Sequence, residues 1–323
     1  MKLGKAPLIK WTGSKRPQAE YIVNQFPKNI NVYYECFLGG GSVFHELMNR
    51  VIKGEIKVNK FVCSDLNTDL INIWKLFQNP VSRKALYNYY VQHYNELWRR
   101  ADVKPGEKYS KKHTVNCQGY FYEERERFNN MPEIDPERPK LFFWLMRTAF
   151  NGLIRYSKSG KFNTPFHVAG RCGITPEELK NVFDTWGTCM DACQVEFIND
   201  SYENVLQSAK ENDFVYMDPP YENQTGMYFA DKFDNNKMFN VMKDLSDRDV
   251  YWALSYDGFS GEHDNRTVQI PEDLYLKHEY VKSGHSSFKK LNSAKFGHNK
   301  DIVMDSLYLN YIPEEKEKYT ELF

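Results

Sequence analysis

The chain has 323 residues, and its 43 Lys and Arg are balanced by 43 Asp and Glu, so the formal net charge is zero. That length fits one large domain, or one core carrying an insertion, and is enough to bury a substantial core. No apolar run is long enough for a membrane span and no basic-then-apolar leader is visible, so a membrane protein is not expected and a cytoplasmic one is.

Asn31-Val32-Tyr33-Tyr34-Glu35 reads as a strand, Cys36-Phe37-Leu38-Gly39-Gly40-Gly41-Ser42 as a glycine loop, and Val43-Phe44-His45-Glu46-Leu47-Met48 as the opening of a helix. Strand, glycine loop and helix make a cradle for a nucleotide or cofactor, with Glu35 at the strand end to accept from an ammonium group. Neither G-x-G-x-x-G nor Walker spacing is present, which argues against a dinucleotide or ATP. Phe61-Val62-Cys63-Ser64-Asp65 reads as a second strand ending in a carboxylate, where a doubly wound sheet grips ribose hydroxyls. The alternative for Asp65 is the N-cap of the helix running through Leu70-Ile71-Asn72-Ile73-Trp74.

Residues up to about Pro80 therefore supply the cofactor half of a twisted sheet. Residues 86–98 read as a helix whose tyrosines serve packing, 104–116 as a polar loop, and 141–146 as a buried helix end leading into a hairpin with its tip at Ser157-Lys158-Ser159-Gly160. The segment 147–171 carries Arg147, Arg155, Lys158, Lys161 and Arg171 and no acidic residue; a second such window, 282–300, contains Lys289, Lys290 and Lys295. Local charge matters more than the total, and both windows are candidates for phosphate contacts, the alternative being solvated basic loops. From about Gly173, strands at 194–198, 214–217 and 251–255 supply the second half of the sheet. Six cysteines are scattered. The close pair Cys189 and Cys193 has no matching partner pair for zinc, so free buried thiols and no metal are expected. The charged tail after Pro313 is expected to fray.

The most specific signal is Asp218-Pro219-Pro220-Tyr221, at the end of the apolar run Phe214-Val215-Tyr216-Met217. An amino group conjugated to a base ring is a poor nucleophile. It is attacked only if acceptors hold its hydrogens and a ring clamps the base. Asp218 is one acceptor, the Pro219 carbonyl a second, and Tyr221 a stacking face, while Pro219 and Pro220 stiffen the turn. A strand end followed by an ordinary turn is the plain alternative.

Several separate blocks together resemble the Dam-type (alpha-group, D12 class) DNA adenine-N6 methyltransferases. Lys10-Trp11-Thr12-Gly13-Ser14-Lys15 resembles the N-terminal block that closes over the cofactor, and 35–43 the cofactor loop with Phe37, Gly39 and Gly40. Ser64-Asp65-Leu66-Asn67 resembles the ribose segment, Phe150-Asn151-Gly152-Leu153-Ile154-Arg155-Tyr156 through Phe166 the recognition hairpin, and 218–221 the catalytic loop. After Phe197-Ile198-Asn199-Asp200 the family has an aromatic residue, whereas this chain has Ser201 and then Tyr202.

The resemblance implies an α/β fold with a doubly wound, mostly parallel sheet of the class I S-adenosylmethionine-dependent methyltransferase type. Residues 1–80 and 173–323 would form the catalytic domain, and 81–172 an inserted helical and β-hairpin target-recognition domain. It implies S-adenosylmethionine as cofactor, with Glu35 on its amino group, Lys15 on its carboxylate, Asp65 on its ribose, Asp200 on its adenine and Trp11 over its methionine portion. A surface lysine and a core aromatic are the alternatives for Lys15 and Trp11. Double-stranded DNA is the implied partner, contacted through Asn151, Arg155, Lys158, Lys161, Asn163 and Arg171. Arg155 suits a guanine edge or a phosphate, and Asn151 an adenine, the vacated stack or a turn cap. The target adenine is rotated out of the duplex to reach the cofactor. A cognate restriction endonuclease is a candidate partner, and a monomer or weak dimer the expected state. Cytosine-N4, RNA-adenine and protein-glutamine methylation, and a catalytically silent DNA-binding subunit, stand as rivals.

Overall fold

A computed structural model describes residues 6–103, 110–167, 173–220, 233–260, 264–265, 269–285 and 302–313. The sheet is built on β1 (Asn29–Glu35), β2 (Lys57–Ser64), β3 (Val195–Ile198), β4 (Phe214–Met217), β5 (Tyr251–Ser260), β6 (Asp264–Asn265), β7 (Lys277–His285) and β8 (Ile302–Leu309). Its spatial order is β3-β2-β1-β4-β5-β8-β7, with the short β6 paired to β5. The first five strands run parallel, and β8 and β7 close the far side antiparallel. The expected α/β doubly wound, mostly parallel sheet is therefore present.

Side chains alternate between the faces of a strand, and the core divides accordingly. Tyr33, Phe61, Phe214, Tyr216 and Ala253 join one cluster, while Tyr34, Val62, Val215, Met217 and Leu254 join the other. All of β4 is buried, which is why its run is continuously apolar rather than alternating. Chain order reverses between β1 and its neighbour β4, the place where such sheets open a crevice at their carboxyl ends.

The helices explain where the sequence reading held and where it did not. α1 (Ala19–Asn24) precedes β1, and α2 (Ser42–Ile52) follows the glycine loop. In α3 (Thr68–Gln78) the N-cap is Asn67, whose side chain accepts from Leu70 N–H at 2.9 Å; Asp65 is not the cap. The expected helix at 86–98 is part of α4 (Pro80–Ala101), capped by Asn79 with Pro80 in its first turn. Its tyrosines do pack: Tyr90 is buried and donates to Ile174 O at 2.9 Å.

The polar-loop expectation for 104–116 needs correction, because α5 runs Lys111–Asn130; residues 104–109 lie outside the described ones. Ser110 and His113 form a capping box there, and Cys117, Phe121 and Phe128 bury the inner face. α6 (Arg138–Thr148) ends as a buried helix, as its apolar run requires, and α7 (Pro176–Ala192) leads back to β3. Arg138 forks onto both oxygens of Asp69, at 2.7 and 2.9 Å, and so pins α6 to α3.

One buried cluster includes Phe77, Tyr90, Phe143, Phe166 and Phe183, so described residues on both sides of positions 80 and 172 share one apolar core. The hairpin region is a short 3-10 turn, Phe150–Gly152, followed by isolated antiparallel bridges Ala149 to Phe166 and Tyr156 to Phe162. Its tip is where the sequence puts it: Ser157 N–H bonds Lys161 O at 2.8 Å, and Gly160 takes φ +75. Among the described residues no helix is long and apolar enough to cross a membrane, and no cluster of His, Cys, Asp and Glu suits a metal ion. The described cysteines are free thiols, buried except for the half-buried Cys193.

Candidate active site

A cavity of about 490 Å³ opens where the carboxyl ends of β1, β2 and β4 meet the N-terminal block. Its wall includes Glu35 from β1, Asp65 after β2, and Tyr216 with Asp218, Pro219 and Pro220 from β4 and the turn beyond. Trp11 to Lys15 and the glycine loop 36–42 complete that side, and Tyr202, Phe233 and Lys237 face it.

The loop holds its shape through bonds from its own backbone. Gly39 N–H donates to Asp65 Oδ2 at 3.0 Å, and Asn67 N–H to Asp65 Oδ1 at 3.0 Å. Burial is the largest influence on Asp65 and raises its pKa, and these backbone donors offset part of that rise. Gly39 has φ +48, and a Cβ there would sit 2.7 Å from Trp11 Cδ1. The glycine thus lets the Trp11 indole pack against the loop. Ser14 and Ser42, whose hydroxyls are 2.8 Å apart, fasten the N-terminal block to the start of α2.

Glu35 is 4 % exposed and accepts from the Tyr33 hydroxyl at 2.6 Å. Burial pushes its pKa up to about 8, with the Asp218 charge adding to the rise, while Tyr33 O–H and Phe44 N–H oppose it. An uncharged carboxyl poised near neutrality ionises readily when a cation arrives beside it.

Lys15 is no surface lysine, being 6 % exposed. Its Nζ lies 3.0 Å from Asp218 Oδ1 and 3.3 Å from Asp305 Oδ2. Burial alone would depress its pKa, yet the two carboxylates outweigh that and hold it above the ordinary lysine value. Asp218, itself half-buried, is therefore one arm of an ionic cluster with the buried Lys15 and Asp305.

Not every expected residue joins the cavity. Lys10 and Asp200 are not among its lining residues. The Asp200 carboxylate instead accepts from Ser201 N–H at 2.7 Å and from Asn204 Nδ2 at 2.8 Å, and those bonds lower its pKa. The wall next to it is made by Ser201 and Tyr202. Tyr202 stands 5.2 Å from Phe37 and 6.0 Å from Phe233, ring centre to ring centre, and Phe37 is 5.8 Å from Phe233. Sequence reasoning missed Phe233, Lys237 and Asp305. None sits in a recognisable motif, and the lack of an aromatic directly after Asp200 is what drew attention to Tyr202. Tyr221 and Arg171 lie outside the described residues.

In the basic loop, Arg155, Lys158 and Lys161 are exposed. Arg155 Nε donates to Asn163 Oδ1 at 2.7 Å, so those residues act as one unit, and Lys161 lies 3.7 Å from Glu126. Arg147 does not belong with them. It is buried, donates to the Pro7 and Leu8 carbonyls, and burial lowers its pKa to about 10. Of the second basic window only 282–285 falls within the described residues.

Comparison with known proteins supplies an independent reading. Residues 11–320 match the family model of D12 class N6 adenine-specific DNA methyltransferases. A type II methyltransferase, M1.LlaDCHI of Lactococcus lactis subsp. cremoris, is 25% identical over 88% of this chain and 83% of its own length. The DNA adenine methylase of Haemophilus influenzae is 28% identical, over 68% of this chain and 65% of its own. The type II methyltransferase M.MjaIII of Methanocaldococcus jannaschii is 31% identical over 71% and 75% respectively.

Proposed function

The chain belongs to the D12 class N6 adenine-specific DNA methyltransferases, and from that premise we propose that the cavity holds S-adenosylmethionine with the target adenine entering beside Asp218. The protein is an enzyme that methylates N6 of adenine in double-stranded DNA. One observation carries the cofactor reading: Glu35, Asp65 and Asp218, from three strands, line a single cavity at the reversal point of the sheet. The donor set fits that molecule. Glu35 suits its ammonium group, Asp65 its ribose hydroxyls, and the Phe37 and Tyr202 rings its adenine. The adenine assignment thereby moves from Asp200 to its neighbours. Trp11 covers the methionine portion. Lys15, being tied to Asp218 and Asp305, is assigned to the acidic cluster rather than to the cofactor carboxylate.

When bound, the cofactor supplies a methyl group activated on a sulfonium. The protein's part is positioning and electrostatics. Asp218 accepts one amino hydrogen of the flipped adenine and the Pro219 carbonyl accepts the other, which turns the nitrogen lone pair toward the methyl. Pro219 and Pro220 keep that turn stiff, and stacking on the base is assigned to Tyr221 by family resemblance. As positive charge develops on nitrogen, the Asp218 carboxylate stabilises it, and the surplus amino proton is lost to water once the methyl is transferred. Residues 81–172 deliver the target, with Arg155, Lys158, Lys161 and Asn163 on the DNA, and with Asn151 and Arg171 assigned there by family resemblance. The type II methyltransferases among the relatives support pairing with an endonuclease of the same target sequence. The test is incubation with labelled S-adenosylmethionine and unmodified duplex DNA, RNA or protein, followed by nucleoside analysis. N6-methyladenine in DNA alone is expected, and label in RNA or protein, or N4-methylcytosine, would overturn the reading.

A further inference from the structure

Tyr33 and Glu35 stand two residues apart on β1, and side chains two apart on a strand point to the same face. The Tyr33 hydroxyl donates to Glu35 Oε2 at 2.6 Å. Tyr33 is fully buried and is not among the residues lining the cavity, so it meets the carboxylate from behind. Its ring belongs to the core, with Phe26, Phe61 and Phe214 between 5.7 and 6.3 Å away, centre to centre. A phenylalanine would fill that space, and burying a hydroxyl there instead carries a desolvation cost that packing does not recover. The hydroxyl is therefore explained by the group it touches.

We propose that Tyr33 is a positioning residue for cofactor binding, its buried hydroxyl holding Glu35 in the orientation and the ionised form that receive the cofactor's ammonium group. The inference rests on the S-adenosylmethionine reading above. A hydrogen bond donated to a carboxylate favours its charged form. Other groups face Glu35 as well. Its register partner on β2 is Cys63, and on β4 Tyr216, whose hydroxyl donates to Ser255 Oγ at 2.8 Å. Burial holds both well above their ordinary pKa and pushes the adjacent Cys36 thiol up to about 12, so all three are neutral. Phe44 N–H, from α2, assists Tyr33, and the charge of Asp218, itself paired with Lys15, opposes it. Burial resists ionisation of Glu35 most strongly, and the Tyr33 bond is the largest influence that favours it.

The experiment is calorimetric titration of S-adenosylmethionine, from mildly acidic to alkaline pH, into the wild type, Y33F, E35Q and Y33F/E35Q. The ligand's own amino group titrates alike for every variant, so the quantity read is the ratio of the Y33F Kd to the wild-type Kd. Near neutral pH that ratio is expected to be roughly tenfold, the scale of a lost hydrogen bond to a charged group, and to shrink toward alkaline pH, where Glu35 ionises unaided. In the E35Q background Y33F should be nearly silent. A ratio that is constant with pH, or an equal loss in the E35Q background, would make Tyr33 merely structural and overturn the proposal. A second readout needs no ligand: Y33F raises the folded pKa of Glu35 further above its unfolded value, so the fall in melting temperature that E35Q flattens should extend to higher pH. An unmoved fall counts against the proposal. A wild type that does not bind the cofactor, or an E35Q that binds it as tightly as the wild type, overturns the underlying reading instead, and those two curves alone reveal it.

Discussion

The side-chain amide of Asn67 donates to the Tyr156 hydroxyl at 3.3 Å, so the cap of α3 beside the cavity is bonded to a ring of the basic loop. Asn67 also donates its backbone N–H to Asp65. The Tyr156 ring packs 6.1 Å from Phe162, which itself lies 6.1 Å from Phe128 and 5.9 Å from Phe142. Removing the hydroxyl while keeping the ring should cost about 1 kcal/mol. Y156F is therefore expected to shift the urea midpoint modestly, and Y156A to cost about 3 to 4 kcal/mol through the lost aromatic. Equal losses for both variants would mean that the bond, not the packing, holds the loop.

G39A tests the closure of the N-terminal block. A Cβ at that position meets the Trp11 indole at 2.7 Å in a left-handed backbone conformation. The variant should lose about 1 to 2 kcal/mol from the backbone alone, and S-adenosylmethionine should bind at least several-fold more weakly because Trp11 is displaced. Unchanged cofactor affinity in a folded G39A would show that Trp11 does not cover the ligand.

Glu35 gives a pH signature whose sign is fixed. Its folded pKa of about 8 lies above the ordinary glutamate value of 4.5, so between those limits the folded state holds a proton that the unfolded state has released. Stability from this group is present below the unfolded value, falls as pH rises, and is fully lost once pH passes the folded value, at a rate of up to about 1.4 kcal/mol per pH unit. The melting temperature without cofactor should therefore fall from pH 5 to pH 8, and E35Q should flatten that fall. A wild-type profile that E35Q leaves unchanged would remove Glu35 from the account.

Arg155 is exposed and bonded to Asn163. R155A should weaken discrimination at one base pair of the target by about 1 to 3 kcal/mol, as loss of a bidentate base contact does. Cleavage protection or single-base methylation mapping on variant sites reads this directly. A uniform loss across all sequences, with a shallower salt dependence, would mark a phosphate contact instead.

Much of this was legible in the chain because the site is assembled from strand ends. β1 ends in Glu35, and the apolar ends of β2 and β4 are each followed at once by a carboxylate, so Glu35, Asp65 and Asp218 could be named as candidates and then found lining one cavity. What could not be read depends on distant partners. Lys111 to Asn116 is polar in composition, yet it opens a helix because Ser110 caps it and α4 and α6 bury its inner face further along. Arg147 looks like a phosphate contact until the fold brings the Pro7 and Leu8 carbonyls to it. Asp305 meets Lys15 only because β8 returns antiparallel beside β5, and no local spacing announces that.

The most direct measurement is a paired assay of D218A: methyl transfer from labelled S-adenosylmethionine to duplex DNA, and cofactor affinity in the same preparation. The account predicts that transfer to adenine N6 vanishes while cofactor affinity stays within a few-fold of the wild type. Transfer that survives, or a loss of cofactor binding as large as the loss of transfer, would contradict the placement of Asp218 on the target amino group.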